Sequence, residues 1–121
     1  MRLQDDMLEV FKDLLAVDGV KGALFFSPSG ERVFEEFNFG GSEAVPVGDW
    51  YAVATSLGRV REAELVFEKG RLYVRRTAEG VLVVVMGLIA PSAVIRLNCD
   101  ILLPALKEQR TAKGIKRLFK R

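Results

Sequence analysis

The first fifteen residues place apolar side chains at helical spacing, with charged residues between them. Apolar positions that recur every three or four residues form one stripe along an α-helix. Asp5 and Asp6 fall in the first turn, where the helix dipole favours negative charge. Gly19 follows the last apolar turn and suits a helix end. The pattern predicts a one-sided helix of about four turns.

Two β-prone runs come next and are separated by a Ser-Pro-Ser-Gly turn at residues 27–30. Residues 23–26 are apolar throughout, which is typical of a strand buried on both faces. Residues 32–37 carry more charge, as edge strands do. The sequence therefore predicts a hairpin whose second strand lies at the edge of a sheet.

A loop and a short helix occupy the middle of the chain. Residues 38–48 include Gly40, Gly41 and Gly48, which favour irregular structure. Residues 49–57 are consistent with a second helix, in which Asp49 serves as N-cap and Gly58 as the stop.

Three further strands are predicted after this helix, at residues 63–67, 72–76 and 81–86. The Glu-Lys-Gly-Arg sequence between the first two suits a tight hairpin turn. The last run is the strongest β signal in the chain and has no polar residue. We therefore expect it at the centre of the sheet, covered on both faces.

A long helix is predicted to begin at Pro91-Ser92, since proline suits the first helical position. Pro104 removes one backbone donor within it, so we expect a kink around Asp100. Its predicted apolar face comprises Val94, Ile95, Leu97, Ile101, Leu102, Ala105 and Leu106. The order is helix-strand-strand-helix-strand-strand-strand-helix, which indicates an α+β domain.

Charge is distributed unevenly along the chain. From Lys107 onward there are seven basic residues and one acidic residue, whereas the preceding 106 residues hold eleven basic and fifteen acidic ones. We therefore divide the chain into a domain at residues 1–110 and a basic tail at residues 111–121. A basic tail on a mildly acidic domain predicts a partner for the tail, not a nucleic-acid-binding protein.

The tail has an amphipathic pattern of its own. Ile115, Leu118 and Phe119 are spaced as neighbours on one helix face, and basic residues including Lys116 surround them. Such a segment could dock on an acidic partner or on a membrane surface. A frayed terminus is the favoured interpretation, because about ten residues containing Gly114 are marginal as an isolated helix.

The cysteine content and the termini indicate the cellular compartment. Cys99 is the only cysteine, which excludes an intramolecular disulfide and favours a reducing environment. The N-terminus has acidic residues where a signal peptide would be basic and then apolar. The longest uncharged stretch, residues 80–95, falls short of the roughly 18 residues of a membrane helix. A soluble cytoplasmic protein is predicted.

The sequence offers no catalytic constellation. It contains no histidine, which removes the usual nucleophile triads and most zinc sites. Cys99 is predicted to be an inert, packed thiol. Gly40-Gly41-Ser42 has no Gly-Lys-Ser/Thr after it and is therefore not a phosphate-binding P-loop. We predict no catalytic residue, no metal site and no cofactor.

Four arginines require separate consideration: Arg59, Arg61, Arg75 and Arg76. An arginine delivered to a GTPase site can stabilise the charge that develops in phosphoryl transfer. Nothing in the sequence selects one of the four for that role, and ordinary surface charge is the favoured interpretation.

The Gly-Val-Lys-Gly sequence at 19–22 leads from the first helix into an apolar strand, and a turn ending at Gly30 follows. This entry resembles the roadblock family, the dynein-light-chain-like domains that also occur in bacteria and archaea as regulators of small GTPases. The Glu-Lys-Gly-Arg hairpin and the apolar last strand before the final helix fit as well, and Arg96 matches an arginine often found early in that helix. The resemblance covers roughly residues 3–110.

The resemblance implies a five-stranded antiparallel sheet with the first and last helices on one face and the second helix on the other. It further implies a dimer in which third strands meet edge to edge and second helices lie side by side, although the second helix is shorter here than the family pattern. The implied interface residues are Trp50, Tyr51, Val53, Ala54 and Leu57 on the helix and Ala63, Leu65 and Phe67 on the strand.

The function implied is a non-catalytic homodimer that binds a small Ras-like GTPase or scaffolds a larger complex. The alternative is a sensory module of the PAS, GAF or profilin-like kind. That alternative predicts a small-molecule pocket of several hundred cubic ångströms between sheet and helix. An enzyme that uses carboxylates or lysine is disfavoured, because no acid-base pair has suitable spacing.

Overall fold

The computed structural model describes the backbone of residues 3–38, 52 and 55–119, and side chains within residues 7–38, 52 and 55–108. Two long helices and five strands are present in these ranges. In chain order they are α1 (Leu3–Leu15), β1 (Val20–Phe26), β2 (Arg32–Phe37), β3 (Glu62–Val66), β4 (Arg71–Thr77), β5 (Gly80–Met86) and α2 (Ser92–Phe119).

The strands form one antiparallel sheet in the order β2-β1-β5-β4-β3. The predicted five-stranded antiparallel sheet is confirmed. The all-apolar strand β5 lies at its centre and is buried along its whole length. The charged strand β2 lies at one edge, as its composition predicted, and β3 lies at the other.

Both helices pack on one face of the sheet, where they enclose the larger of two apolar clusters. Phe11 of α1 stacks on Phe34 of β2, with ring centroids 4.3 Å apart. Ile95, Leu102 and Leu106 bring α2 into the same cluster. The cluster also includes Met7, Leu14, Val20, Ala23, Phe25, Tyr73, Leu82, Val84, Met86, Ala90 and Cys99.

The opposite face of the sheet carries the second apolar cluster. Its buried members alternate along β1, β4 and β5 with those of the first, as side chains of a strand must. They are Leu24, Phe26, Leu72, Val74, Val81, Val83 and Val85. Because β1 and β5 are covered on both faces, the expectation from their uninterrupted apolar runs is confirmed.

The geometry of the Gly-Val-Lys-Gly entry explains its glycines. Gly19 has a φ of 90°, which favours glycine, and a Cβ there would lie 2.7 Å from the Cβ of Ala90. A Cβ on Gly22 would lie 2.9 Å from the carbonyl oxygen of Glu36 in β2. The first glycine therefore lets α1 turn tightly past the start of α2, and the second lets β1 and β2 approach.

The predicted second helix lies mostly outside the described residues. Ala52 and Thr55 are helical, and the N–H of Ser56 donates to the carbonyl of Ala52 at 3.0 Å. Gly58 follows with a φ of 64°, the left-handed conformation that often ends helices, so its predicted role as the stop is confirmed.

Several local expectations are corrected. Strand β1 begins at Val20, three residues before the predicted start, because the motif itself pairs with β5 and β2. Helix α2 extends past Arg110 to Phe119, so most of the predicted tail continues the helical backbone. Its apolar face is narrower than predicted, since Val94, Leu97 and Ile101 are exposed.

Candidate interaction surface at the third strand

Strand β3 has one side that no described strand covers. The N–H of Arg76 donates to the carbonyl of Arg61 at 2.7 Å, and the N–H of Phe67 donates to the carbonyl of Gly70 at 2.8 Å. With the observed register, these bonds place the odd-numbered residues of β3 in hydrogen-bonded pairs with β4. The N–H and C=O groups of Glu62, Glu64 and Val66 therefore point away from the sheet.

Side chains of β3 alternate between the two faces of the sheet. Leu65 and the following Phe67 are half-buried against the second apolar cluster, and Ala63 shares their face. Leu57 packs on the same cluster. The structure thus brings together four of the predicted interface residues. The other four, Trp50, Tyr51, Val53 and Ala54, lie outside the described residues.

The other face of β3 is tied to α2 by a network that sequence reasoning missed. Arg71 donates to the Glu64 carboxylate at 3.1 Å and to the Ser92 hydroxyl at 2.9 Å. The Ser92 hydroxyl donates in turn to the Glu64 carboxylate at 2.8 Å. The Arg71 side chain is only 11% exposed. One guanidinium therefore joins the edge strand to the start of α2.

The same guanidinium also holds the loop between β5 and α2. Its Nε donates to the carbonyl of Gly87 at 3.1 Å, and another nitrogen donates to the carbonyl of Ala90. Arginine suits this position because its fixed fork presents several donors at once. The sequence offers little indication of this role, because Arg71 looks like the last residue of a hairpin turn. Its partners lie up to 21 positions away along the chain.

Two more ion pairs continue along this side of α2. Arg96, the arginine expected early in the helix, bonds Glu62 of β3 at 2.8 Å. Arg75 of β4 pairs with Asp100 and donates to the Tyr73 hydroxyl at 3.2 Å. Together with the pair of Arg71 and Glu64, these ion pairs hold β3 and β4 to α2 on the helix-covered face of the sheet.

Two titratable groups beneath these ion pairs are held neutral. Burial raises the pKa of the Cys99 thiol to about 12, against the effect of nearby Arg75 and with that of Asp100 and Glu62. Burial also raises the pKa of Tyr73 to about 12. A fully buried thiol with a raised pKa is a poor nucleophile. The prediction that Cys99 is a packed thiol is confirmed.

The four arginines considered from sequence do not converge on one reactive point. Arg75 is occupied by Asp100 and Tyr73, and Arg76 donates to the carbonyl of Gly58. Arg59 and Arg61 are exposed. A surface concavity of about 460 Å³ lies beside Arg61, Arg75 and Arg76. This arrangement selects no single arginine for delivery to a partner.

The described residues contain no group of three or more acidic or cysteine side chains suited to holding a metal ion. Neither of the described helices is long and apolar enough to cross a membrane. The tail residues Ile115, Leu118 and Phe119 lie on the helical backbone of α2, and Lys116 lies between them. Their side chains are outside the described set.

Comparisons with known proteins show which fold this chain shares. No family model matches the chain, and no curated protein matches it. Among solved structures, a Roadblock/LC7 domain from Streptomyces avermitilis is similar with a TM-score of 0.67 and 18% identity, over 85% of this chain and 96% of that one.

Two further similar structures carry the name MglB. The first, described as MglB with a tetrameric arrangement, gives a TM-score of 0.63 and 22% identity over 88% of each chain. The second, the gliding protein MglB from Thermus thermophilus, gives a TM-score of 0.61 and 21% identity over 88% of this chain and 89% of that one. With the sheet order and helix placement described above, these similarities identify the fold of this chain as that of roadblock domains.

Proposed function

We propose that this protein is a non-catalytic dimeric regulator that binds a small Ras-like GTPase or scaffolds a larger complex. The observation that supports the dimer is the open edge of β3. Three outward N–H groups and three outward C=O groups lie at alternate positions of a strand with regular register. Two such strands could pair in antiparallel fashion and satisfy each other's backbone groups.

The surroundings of this edge favour pairing with a second copy. Leu57, Ala63, Leu65 and Phe67 are half-buried beside the edge, so a partner that extends the sheet would also extend the second apolar cluster. The ion pairs of Glu62 and Glu64 are directed toward α2, so these side chains do not occupy the outward backbone groups of the strand. A twofold axis at the edge would let both copies use the same residues.

A proline substitution tests the dimer directly. Val66→Pro removes one outward N–H and leaves the bonds from β3 to β4 in place, because proline is tolerated where its nitrogen faces away from the ladder. We expect it to lower the mass in solution twofold, from dimer to monomer, measured by light scattering at matched concentration. Circular dichroism would verify that the variant is folded.

The matched control is Glu35→Pro on the other edge. The N–H of Asn38 donates to the carbonyl of Lys21, so the N–H of Glu35 also points away from the sheet. Glu35→Pro should leave the mass unchanged. Equal masses for the wild type and Val66→Pro would refute pairing through β3.

The GTPase part of the proposal rests on the roadblock resemblance. Its test is capture of a Ras-like GTPase by the immobilised protein, compared between GTP-analogue and GDP loading. Retention that depends on the nucleotide supports regulation, whereas equal or absent retention contradicts it. Val66→Pro in the same assay shows whether the GTPase requires the dimer.

The sensory-module alternative gains no support from the helix-covered face. Phe11, Phe34 and Tyr73 fill the space between the helices and the sheet with almost no exposure. A small-molecule site would have to use a concavity at the surface, such as the one beside Arg61, Arg75 and Arg76.

A further inference from the structure

A groove between α1 and α2 lies on the side of the molecule formed by the helices, away from the β3 edge. It encloses about 400 Å³. Residues of α1 from Glu9 to Leu14 form one wall, and residues of α2 from Asn98 to Ala105 form the other. The two walls differ in chemistry, and this difference determines what the groove can bind.

The wall formed by α1 is acidic. Glu9 and Asp13 are four residues apart, so they lie on one line along the helix, and both are exposed. The contact of Glu9 with Lys12 is long, 3.9 Å, and exposed, so it neutralises little of the charge. None of the described residues that line the groove is basic. An occupant therefore meets negative charge along this side.

The wall formed by α2 is mainly apolar and continues beyond the groove. Ile101 lines the groove and is 64% exposed, and Leu97 is 57% exposed. Val94 extends the same stripe toward the start of the helix. From Val94 to Ala105 the stripe is about 17 Å long, which matches about three turns of a helix.

The backbone of the walls determines the conformation of the occupant. The N–H and C=O groups in the middle of α1 and α2 are bonded within each helix, so the walls offer side chains and no strand edge. An extended segment would leave its own backbone groups unpaired against the apolar wall. A helix bonds these groups internally, and helices with one apolar face are the usual occupants of apolar grooves.

The charge of the groove decides between possible occupants. A twofold contact between two copies through this face would bring two acidic walls into one interface, and like charges disfavour such association. The anionic headgroups of a membrane would be repelled for the same reason. A helix from another protein meets neither obstacle if lysine or arginine flanks its apolar stripe.

We propose that the groove between α1 and α2 binds a basic amphipathic helix of a partner protein. The apolar side chains of that helix, repeated every three or four residues, pack on Val94, Leu97 and Ile101. Its lysine or arginine side chains face Glu9 and Asp13. This contact does not use the β3 edge, so it is independent of the proposed dimer and of the GTPase.

Fluorescence anisotropy with two labelled synthetic peptides tests the charge of the groove. Both are amphipathic helices of about 14 residues with leucine at every third or fourth position. Lysine flanks the leucines in the first peptide, and glutamate flanks them in the second. The wild type should bind the lysine peptide about tenfold more tightly than the glutamate peptide. Glu9→Lys with Asp13→Lys should reverse this preference.

The matched control for the reversed groove is Glu31→Lys with Glu68→Lys. It makes the same change in net charge at exposed residues that do not line the groove. This control should keep the preference of the wild type for the lysine peptide. Equal affinity of the wild type for the two peptides, no binding of the lysine peptide, or an unchanged preference after the groove reversal would overturn the proposal.

The apolar wall is tested by Leu97→Ser with Ile101→Ser. Both side chains are exposed, so the fold should be retained, which circular dichroism checks. This variant should bind the lysine peptide about tenfold more weakly. Leu88→Ser with Ile89→Ser removes equally exposed apolar residues from the loop before α2 and should not change the affinity.

Light scattering without peptide separates a partner protein from a second copy. Glu9→Lys with Asp13→Lys should have the same mass in solution as the wild type. A changed mass would show that the groove mediates contact between copies of this chain, and it would overturn the assignment of the groove to a partner protein.

Discussion

The two edge strands of the sheet are held by different forces. Strand β2 has a fully buried aromatic anchor, Phe34, stacked on Phe11, and its ion pair between Arg32 and Glu35 is local and exposed. Strand β3 has no fully buried side chain, and its fixed points are the bonds from Glu62 and Glu64 toward α2. One edge is anchored by packing and the other by charge.

The difference bears on which edge is available to a partner. The pairing of β1 with β2 is irregular between Phe25 and Phe26, and such bulges protect edges from further pairing. The pairing of β3 with β4 is regular over all five residues. A strand that is regular and has no fully buried side chain is the better candidate for extending the sheet.

The largest effect should come from removing the packing anchor of β2. Phe34→Ala deletes a buried ring and its stacking on Phe11, which should lower the free energy of unfolding by about 3–5 kcal/mol. The corresponding change on the other edge, Leu65→Ala, removes a half-buried side chain and should cost about 1–2 kcal/mol. Urea denaturation at neutral pH measures both. Equal costs would contradict the view that the two edges are anchored differently.

The next largest effect should come from the charged anchor of β3, by which we mean the ion pairs of Glu64 with Arg71 and of Glu62 with Arg96. Arg71→Met retains much of the side-chain volume but removes the charged donor to the Glu64 carboxylate, which keeps only its bond from Ser92. It also removes the Arg71 bonds to two loop carbonyls. We expect a loss of about 2 kcal/mol, because the guanidinium is nearly buried while Glu64 is one-third exposed.

Arg32→Met on β2 is the matched control for Arg71→Met. It breaks an ion pair whose side chains are 51% and 38% exposed, and it should cost less than 1 kcal/mol. If the two arginine variants unfolded at the same urea concentration, the β3 anchor would have no special role.

The features that the sequence predicted correctly depend on local patterns, whereas those that it missed depend on contacts between residues far apart in the chain. The apolar runs of β1 and β5 predicted central strands, because burial on both faces requires apolar side chains throughout. The glycines at 19–22 supported the roadblock resemblance, which supplied the five-stranded antiparallel sheet and the shared face of the first and last helices. Gly58 predicted the end of the second helix, because glycine readily adopts the left-handed conformation that often ends helices.

The contacts of Arg71 and the pair between Arg75 and Asp100 could not be predicted in the same way. They join residues 7 to 25 positions apart that meet only once the sheet and α2 have packed. The broad apolar face predicted for α2 failed for a related reason. Apolar spacing shows that Val94, Leu97 and Ile101 could be buried, but the width of the sheet and the position of α1 decide which side of the helix is covered.

A smaller effect is expected at Arg96, the outer part of the charged anchor. The guanidinium is 57% exposed, so Arg96→Gln should cost about 0.5 kcal/mol at low salt. In 1 M NaCl the difference from wild type should largely disappear, because the screening length falls to about 3 Å. The loss in Arg71→Met should persist in the same salt. A salt-insensitive loss at Arg96 would mean that its contact is packing and not charge.

The last and most specific expectation concerns the layer beneath the ion pairs of β3. The pKa of the Cys99 thiol rises from 9.0 to about 12 on folding, so the unfolded chain loses this proton first. The contribution of Cys99 to stability is therefore complete below pH 9 and is lost as the pH rises toward 12. Between pH 8 and pH 10 the wild type should lose about 1 kcal/mol more than Cys99→Ala, measured by urea denaturation at each pH. Because Cys99→Ala also opens a cavity, the comparison uses the change with pH and not the absolute stability. Parallel pH profiles of the two proteins would show that water reaches the thiol. The layer beneath the ion pairs of β3 would then exclude water less well than the packing around Phe34 does.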